Sequence, residues 1–571
     1  MTKEDLNGEA APRLRIRVVG AFSPVPAGRV FSISATTFAD ALARTELRPR
    51  VTLADRLGGG VSRTLQVELR RIGAFQLVNI VGATPVLASL RELADELGGA
   101  TPPPAAAVLE RIRGLVGDGP LWSMVDAALR QEAARASGVS VDEFLDGGVR
   151  PPASSAIEAV VRSIRPGSAT RSTVARAARR SIEEAIYTAA GDVLRDDGLA
   201  RLEAAWRGLK LLADQCPCAA ATSIEVVDVS PADVVDALAA GLPDAEVDRP
   251  DLHVVVDPCD DVSGLRRLAE AAEGALAPVL VSISPRFFGV EDAAAIASTA
   301  EEPDGGLPEA WADLRADEAS RWLCVVANRA ATMAEGHGPA RRTSFSSPAL
   351  AVSAMLAASF RETRSFARIL GSAGALQAPA THELRDGGDA GLSIPTEVFF
   401  SIGTQQRLAS LGLLGVGSGR NTARLSLSVA PMARGSTDAL PLPAQIMSGR
   451  IVRLARWVRD EVPPSCTDAE AAALFEQAAE VLLFARIGGG ATLRAGVRSA
   501  PDGRRVVDVQ ASVGPRPCLD PVPDGVHASL RALISAAWPS RGAGRPRRGP
   551  RARRAAPDRR RAPSPSTRTR S

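Results

Sequence analysis

Residues 202–210 read Leu-Glu-Ala-Ala-Trp-Arg-Gly-Leu-Lys, and this stretch decides how the rest of the chain is interpreted. Leu202, Trp206 and Leu209 recur at helical spacing, which predicts an amphipathic helix with one apolar stripe. Gly208 costs about 1 kcal/mol relative to alanine inside a helix. A glycine beside a tryptophan therefore indicates either a tolerated residue in a core helix or the close approach of another backbone.

The totals indicate a chain of several domains with a large apolar core. Its 571 residues suggest three or four domains at roughly 150 residues each, and 45% of them are hydrophobic. No apolar run reaches the roughly 18 residues that a membrane helix needs. The first residues lack the apolar segment of a secretory signal. We therefore expect no membrane insertion and a cytoplasmic location.

The cysteines and histidines give no pattern typical of a metal site. Only two of the six cysteines are close together, and the four histidines are scattered. A zinc site needs a second pair of ligands nearby. We expect free, mostly buried thiols and no bound metal. The cysteines are Cys216, Cys218, Cys259, Cys324, Cys466 and Cys518.

The net charge of +3 hides a strong asymmetry along the chain. Residues 541–571 contain twelve Arg and one Asp, which leaves the first 540 residues at −8. The tail has no apolar period and is predicted to be disordered. Three interpretations of it remain open: a solvated tail, a shifted reading frame in GC-rich coding sequence, and an electrostatic arm for nucleic acid.

The first 136 residues are predicted to form a small α/β unit. Alternation and β-branched residues predict strands at residues 14–19, 30–33 and 64–69. Helical periodicity and capping signals predict helices at residues 38–44 (capped by Thr37), 86–97, 105–116 and 121–136. This segment resembles the small sheath subunit of type VI secretion systems, TssB. The resemblance rests on residues 14–23, on Phe31-Ser32-Ile33 followed by Phe38, and on the helix around Leu90 to Leu93.

The larger part of the chain resembles the large sheath subunit of the same systems, TssC. Its two specific segments are residues 202–210 and Ser-Pro-Arg-Phe-Phe-Gly at residues 284–289. We expect strands at residues 223–229, 252–256 and 323–326, helices at 172–194 and 445–459, and a hairpin over 493–513 with its turn at 501–503. The residues that carry the resemblance are Leu202, Glu203, Trp206, Arg207, Gly208, Leu209, Ser284, Pro285, Arg286, Phe288, Gly289, Trp311, Pro395 and Glu397.

The sequence departs from the large-subunit pattern in one helix. The family's Arg-x-x-His-Tyr-Leu-Lys is here Arg450 to Arg456, with Arg453 at the histidine position. We expect the contacts of that helix to be rewired.

Motifs for enzyme chemistry are missing. The sequence contains no phosphate-binding Gly-x-x-x-x-Gly-Lys-Ser/Thr loop, no Gly-x-Ser-x-Gly elbow and no His-Glu-x-x-His pair. Asp257, Asp260 and Asp261 form an acidic cluster after a predicted strand, either a solvated loop or a cation site. We expect no catalytic residue and no cofactor.

These observations predict an α/β (α+β) fold similar to contractile tail sheaths. The domains are a small subunit at residues 1–136, a linker at 137–156, a large subunit at 157–538 and the tail at 539–571. A fusion of the two subunits fixes their one-to-one ratio and raises their effective concentration.

The resemblance implies a structural subunit that polymerises into a helical tube around an inner tube of Hcp-like rings and contracts to propel it. Baseplate proteins and a ClpV-like AAA+ unfoldase are the further partners that it implies. Strands at residues 14–19 and 506–513 are the expected lenders or acceptors of strands shared between neighbours. Two alternatives remain: a diverged sheath-like baseplate or adaptor protein that no longer polymerises, and a nucleic-acid-binding protein that uses residues 541–571.

Overall fold

The computed structural model describes residues 13–137, 168–484, 491–499, 505–513 and 526–534, apart from short gaps at 54–56, 58–62, 218–220, 303–304, 337, 386–388, 437–438 and 464. The strands in these ranges are β1 (Leu14–Gly20), β2 (Arg29–Ile33), β3 (Arg50–Leu53), β4 (Arg63–Gln66), β5 (Thr222–Asp228), β6 (Leu252–Val255), β7 (Val279–Ser282), β8 (Leu323–Ala327), β9 (Ala330–Glu335), β10 (Arg342–Ser346), β11 (Leu376–Gln377), β12 (His382–Glu383), β13 (Ser393–Ile394), β14 (Leu413–Gly415), β15 (Gly417–Ser418), β16 (Arg424–Ser426), β17 (Ala491–Ser499), β18 (Arg505–Val513) and β19 (Val526–Ile534).

The α-helices in the same ranges are α1 (Phe38–Arg44), α2 (Leu77–Ala83), α3 (Pro85–Leu97), α4 (Ala105–Val116), α5 (Pro120–Ser137), α6 (Ser168–Leu194), α7 (Asp197–Asp214), α8 (Val234–Ala239), α9 (Val262–Ala275), α10 (Ile296–Thr299), α11 (Ala310–Ala316), α12 (Pro348–Thr363), α13 (Ile402–Ser410), α14 (Leu442–Glu461) and α15 (Asp468–Leu482).

The central sheet has seven strands in the order β14-β8-β7-β6-β1-β5-β2. Strand β1 runs parallel to β5 on one side, from Leu14 opposite Thr222 to Gly20 opposite Asp228. On its other side it runs parallel to β6, and only β2 is antiparallel, against β5. The fold is therefore α/β with a mixed sheet, as predicted, and the first strand of the chain lies inside that sheet.

Both faces of the sheet are covered by helices. Ile16 and Val18 of β1 pack into a core that contains the apolar faces of α3, α7, α12 and α14. Val19 points to the opposite face and packs into a second core with α8, α9 and α11. A parallel strand buried on both faces usually reads as an almost continuous apolar run. Residues 14–19 alternate instead, and the two arginines among them pair with carboxylates, Arg15 with Asp248 and Arg17 with Glu225.

Two strands that we expected to be lent between neighbours are already paired on both sides. Strand β1 lies between β5 and β6, and β18 lies between β17 and β19 in a three-stranded antiparallel sheet. Neither strand keeps a free row of backbone N–H and C=O groups, so neither can accept a further strand in this structure. Lending of these strands between copies stays a prediction. The seven-stranded sheet ends instead at β2 and β14.

Most predicted elements are confirmed within a few residues, and two predicted helix caps are wrong. Thr37 makes no side-chain capping bond to α1 and instead accepts a hydrogen bond from the Ser34 N–H. Helix α6 begins at Ser168, ahead of the predicted cap at Ser172. The linker after Ser137, the turn at 501–503 and the tail lie outside the described residues, so the domain boundaries stay predictions.

None of the helices in the described ranges is by itself long and apolar enough to cross a membrane. Helices α2 and α3 reach that length and composition only as a pair, which bends by 105°.

Candidate functional site

Helix α7 carries the stretch on which the sequence analysis depends. It begins after Asp196, whose carboxylate accepts hydrogen bonds from the N–H groups of Gly198 and Leu199. The predicted stripe is buried as expected, with Trp206 and Leu209 fully enclosed. The helix therefore contributes its apolar face to the first core.

Trp206 is surrounded by aromatic rings of the N-terminal segment. The ring of Phe31 stacks on the indole at 6.2 Å between centroids, and Phe22 and Phe38 meet it edge-on at 5.6 and 5.8 Å. The indole Nε1 donates a 2.9 Å hydrogen bond to the carbonyl oxygen of Phe22. The three phenylalanines lie in the segments on which the predicted small unit rests, so the two predicted units meet at one side chain.

Gly208 lies where α7 is crossed closely by a neighbouring element. A Cβ atom at this position would come within 2.6 Å of Leu350 Cδ1 and 2.9 Å of Ser346 Cβ. The predicted close approach is thus present. It is made by the side chains of β10 and α12, whereas we had expected a backbone.

The polar face of α7 is buried as well, which sequence periodicity missed. The Glu203 carboxylate accepts a hydrogen bond from Arg207 Nε at 2.6 Å. It also accepts hydrogen bonds from Arg342 Nη1 at 2.7 Å and Nη2 at 3.0 Å. Arg342 Nη2 also donates to the carbonyl oxygen of Phe75 at 2.6 Å. The polar face of α7 therefore packs against hairpin β9–β10, and the side chain of Arg342 from that hairpin covers it.

Glu335 extends this network into the N-terminal segment. Its carboxylate accepts from Arg342 Nε at 2.9 Å and from the Leu77 N–H at the start of α2. Burial would lower the pKa of Arg342, but its hydrogen bonds and charge attraction to Glu203 and Glu335 outweigh burial and raise that pKa. The guanidinium is held charged at the centre of a continuous network between the two parts of the chain.

A second buried charge cluster joins the start of β1 to α14. Arg453 Nη2 contacts Asp251 Oδ1 at 2.5 Å, and Arg450 Nε lies 3.4 Å from the same oxygen. Asp251 Oδ2 accepts the backbone N–H of Arg15, and Arg450 Nη2 donates to the carbonyl of Arg13. Arg453 turns inward to the carboxylate of Asp251, directly before β6. The rewiring of this helix relative to the family stays a prediction.

His253 lies beside this cluster, in the middle of β6. It is completely buried, and neither ring nitrogen has a hydrogen-bond partner in the structure. Burial, followed by the positive charges of Arg17 and Arg453, lowers its pKa to about 3. The imidazole is therefore neutral and acts as a filler of the core. An arginine within the apolar face of α14 is the sequence signal that could have identified the buried charge of Arg453.

The turn after β7 is held from several sides. Asp260 accepts hydrogen bonds from Ser284 N at 2.7 Å and Ser284 Oγ at 2.5 Å. Phe288 is buried in the second core, and Gly289 closes the turn at φ +70°, a conformation that favours glycine. Pro285 occupies the first position of the short 3-10 turn Pro285–Phe288, and Arg286 points to the surface.

The remaining motif residues fix neighbouring loops. Trp311 is buried, and its Nε1 donates to the carbonyl of Leu411 at 2.9 Å. The carbonyl of Pro395 accepts from the Ala331 N–H at 2.7 Å. The carboxylate of Glu397 accepts hydrogen bonds from both Nε and Nη2 of Arg329. Each of these residues has a structural partner within its own chain.

A cleft of about 910 Å³ opens at the carboxyl ends of β6, β7 and β8. Of the predicted motif residues, five lie on its lining, and the members of the apolar stripe lie below it in the core. Ligands of open α/β sheets bind at this edge of the sheet. The five lining residues are Glu203, Ser284, Pro285, Arg286 and Glu397.

The acidic cluster at the same edge is divided among three structural roles. Asp257 accepts the Ala21 N–H at 3.0 Å, and Asp260 holds Ser284 as described above. Asp261 caps α9 through the N–H groups of Ser263 and Gly264. In the ranges that the structure describes, no group of three or more His, Cys, Asp or Glu side chains is arranged to hold a metal ion.

Four of the six cysteines fall in the described residues, and all four are free thiols: Cys216, Cys259, Cys324 and Cys466. Burial raises the pKa of Cys216 to about 12. Cys218 and Cys518 lie outside the described part of the chain.

Part of the chain is similar to a family of tail sheath proteins. The VipB family, described as the EvpB/VC_A0108 tail sheath N-terminal domain, matches residues 244–431. This range is about a third of the chain and includes the turn at 284–289, Trp311, Pro395 and Glu397. The match supports the resemblance to the large sheath subunit, and a sheath domain is a structural module. Helix α7 and the N-terminal segment lie outside the matched range.

Comparisons with whole proteins do not establish the fold or the family of the chain. Eight chains of solved structures match, one of them in a cryo-EM structure of the anti-feeding prophage baseplate. That chain is 12% identical, with a TM-score of 0.32 over 58% of this chain and 76% of its own. A TM-score this low does not establish a common fold. No curated protein matches the chain.

Replacing Trp206 by phenylalanine tests the aromatic junction. Trp206→Phe leaves the buried Phe22 carbonyl without its donor, which costs about 1–3 kcal/mol, and the smaller ring adds a cavity cost. Urea unfolding followed by circular dichroism measures the loss. Trp122→Phe is the matched control, since Trp122 is half-buried and its Nε1 has no hydrogen-bond partner in the structure. Equal losses in the two variants would contradict the assigned role of Trp206.

Two neighbouring aspartates should respond to pH in opposite directions. Burial raises the pKa of Asp257 above its usual 3.8, so ionisation destabilises the folded chain progressively as pH rises through the raised pKa. The hydrogen bond from Ser263 Oγ, followed by that from Gly264 N–H, lowers the pKa of Asp261. The stability that Asp261 contributes is therefore lost as pH falls through its lowered pKa.

Asp257→Asn should therefore raise the free energy of unfolding at about pH 7, and the gain should shrink toward about pH 4. Asp261→Asn should lower it at neutral pH by a smaller amount, because that side chain is exposed. Urea titrations of both variants across this pH range measure the two slopes. A loss of stability in Asp257→Asn at neutral pH would be incompatible with the burial argument.

Proposed function

We propose that the chain is a structural subunit of a type VI-like contractile sheath, with a small and a large subunit fused in one polypeptide. Residues 1–136 act as the small subunit, 137–156 as the linker, 157–538 as the large subunit and 539–571 as a tail. The observation that carries the proposal is the match of residues 244–431 to a tail sheath domain. No catalytic residue and no cofactor takes part.

The packing of the N-terminal segment supports a fused subunit. Strand β1 is inserted between β5 and β6, and Trp206 is enclosed by three phenylalanines of the first 38 residues. Such contacts are those of one folded unit. Fusion guarantees that both parts are present in equal number and at high effective concentration.

Assembly into a sheath requires head-to-tail association that does not close into a ring. The polymer surrounds an Hcp-like inner tube in the cytoplasm, is anchored on baseplate proteins and contracts by exchanging one packing of its interfaces for another. A ClpV-like AAA+ unfoldase recycles the contracted form. Because β1 and β18 are paired within the chain, any strand shared between copies adds to an outer strand such as β2.

Negative-stain imaging and sedimentation of the full-length protein test this function. We expect concentration-dependent filaments or tubes, and their number should rise when the Hcp-like protein is added. The Trp206→Phe variant serves as a control for folding, because it lowers stability at a site away from the surface. A chain that stays monomeric at high concentration, with its tube partner present, would refute the proposal.

A diverged baseplate or adaptor protein is the second candidate. The observation that favours it is the inward turn of α14, where Arg453 replaces the family histidine and binds Asp251 within the same chain. Small discrete oligomers in the same experiment would support this candidate. Nucleic-acid binding through residues 541–571, which contain twelve arginines, is the third candidate.

A further inference from the structure

The buried charge cluster around Asp251 holds more positive than negative charge. Arg450 and Arg453 share the carboxylate of Asp251, and Arg17 pairs with Glu225 at 2.9 Å. The three arginines are buried, so the cluster sets three guanidinium groups against two carboxylates. A buried charge that nothing compensates is costly, and this surplus of one positive charge calls for a partner.

Neighbouring ion pairs do not supply the missing negative charge. Arg15 pairs with Asp248, which adds one charge of each sign. Arg249 and Arg456 share the carboxylate of Glu246, which adds a further positive charge. The surplus therefore persists when the described surroundings of the cluster are counted.

The other buried cluster of the chain, around Glu203, is balanced. Arg207 and Arg342 lie against Glu203, and Glu335 adds a second carboxylate. Attraction there outweighs burial and raises the pKa of Arg342. In the cluster around Asp251, by contrast, burial outweighs attraction and lowers the pKa of all three guanidinium groups. Only this second cluster is short of negative charge.

Donor groups of the same cluster also lack hydrogen-bond partners. Arg17 Nη1 and Arg453 Nε are enclosed and make no hydrogen bond with the residues that the structure describes. The same holds for both ring nitrogens of His253, and a neutral imidazole still carries one N–H. Buried donors in folded proteins are nearly always paired with protein, water or an ion.

The three side chains meet at one end of the parallel strands. Arg17 of β1 lies directly opposite His253 of β6, so the two side chains stand side by side on one face of the sheet. Asp251 continues this ladder, because its N–H donates to the Arg15 carbonyl at 2.8 Å. Arg453 binds Asp251, two residues before His253, and its charge acts on the imidazole.

We propose that Arg17, His253 and Arg453 form a binding site for one small inorganic anion of the size of chloride, here called the β1–β6 anion site. The anion supplies the negative charge that the cluster lacks and accepts a hydrogen bond from each of the three side chains. It thereby ties the first strand of the chain to α14.

A halide suits this site better than water or a larger anion. It accepts hydrogen bonds from any direction and needs no space for further oxygen atoms. A water molecule has two acceptor positions and no charge, so it would leave the surplus uncompensated.

Urea unfolding of the full-length protein tests the β1–β6 anion site. The ionic strength is held constant with mixtures of sodium chloride and sodium gluconate, whose anion is too large for an enclosed site. Because only the folded chain holds the anion, chloride stabilises it by mass action. We expect the ratio of folded to unfolded chains to rise about tenfold for each tenfold rise in chloride once the site is largely filled.

Two variants of the cluster should change this response in opposite directions. Arg17→Met removes the surplus charge and one donor, so the dependence on chloride should be lost. Glu225→Gln removes a negative charge beside Arg17, so the site should fill at a lower chloride concentration; this variant keeps the test valid should Arg17→Met fold poorly.

Arg315→Met is the matched control. Arg315 is another partly buried arginine whose pKa burial lowers, and it donates to the carbonyl groups of Ala433 and Ser410, away from β1 and β6. Its replacement should lower stability and keep the chloride response of the wild type.

Equal stability of the wild type in chloride and in gluconate at every concentration would overturn the proposal and leave water as the occupant. A chloride response that Arg17→Met keeps would also overturn it, since the anion would then bind elsewhere. A weaker response in Glu225→Gln than in the wild type would contradict the charge argument.

Discussion

The insertion of β1 between β5 and β6 is the constraint on which the rest of the structure depends. It places a strand from the first twenty residues in the middle of a sheet whose other parallel strands come after residue 221. Every parallel pair in that sheet is buried on both faces, so removing β1 would expose both cores at once. The indole of Trp206 completes the arrangement by binding the backbone just beyond β1.

Buried charges determine how the two parts of the chain fit together. Arg342 joins Glu203, Glu335 and the Phe75 carbonyl, and Arg453 joins Asp251 to α14. Buried ion pairs contribute little net stability compared with apolar packing, but removal of one partner costs about 3–5 kcal/mol. They therefore discriminate against misaligned packing of the N-terminal segment more than they strengthen the correct packing. For the sheath subunit proposed above, which would exchange one packing of its interfaces for another, a fixed internal register is a useful property.

Local elements followed from the sequence because their signals are local. The leucine stripe of α3 and the alternation of residues 14–19 depend on spacing alone, and both lie where they were expected. The pairing partners of β1 could not be predicted, since its neighbours lie some two hundred residues away. The burial of Glu203 and Arg207 was missed for the same reason: periodicity marks a polar face, and a distant hairpin covers it. The sequence identified the motif residues. Which of them lie in the core and which line the cleft could be seen only in the three-dimensional structure.

Hydrogen exchange of the backbone amides, read by mass spectrometry on the native protein, tests the central placement of β1 most directly. An internal strand exchanges only when the surrounding structure opens. The account predicts that the amides of Leu14–Gly20 exchange as slowly as those of β6 and β7, and more slowly than those of the edge strand β2. Fast exchange across Leu14–Gly20 while β6 stays protected would contradict it.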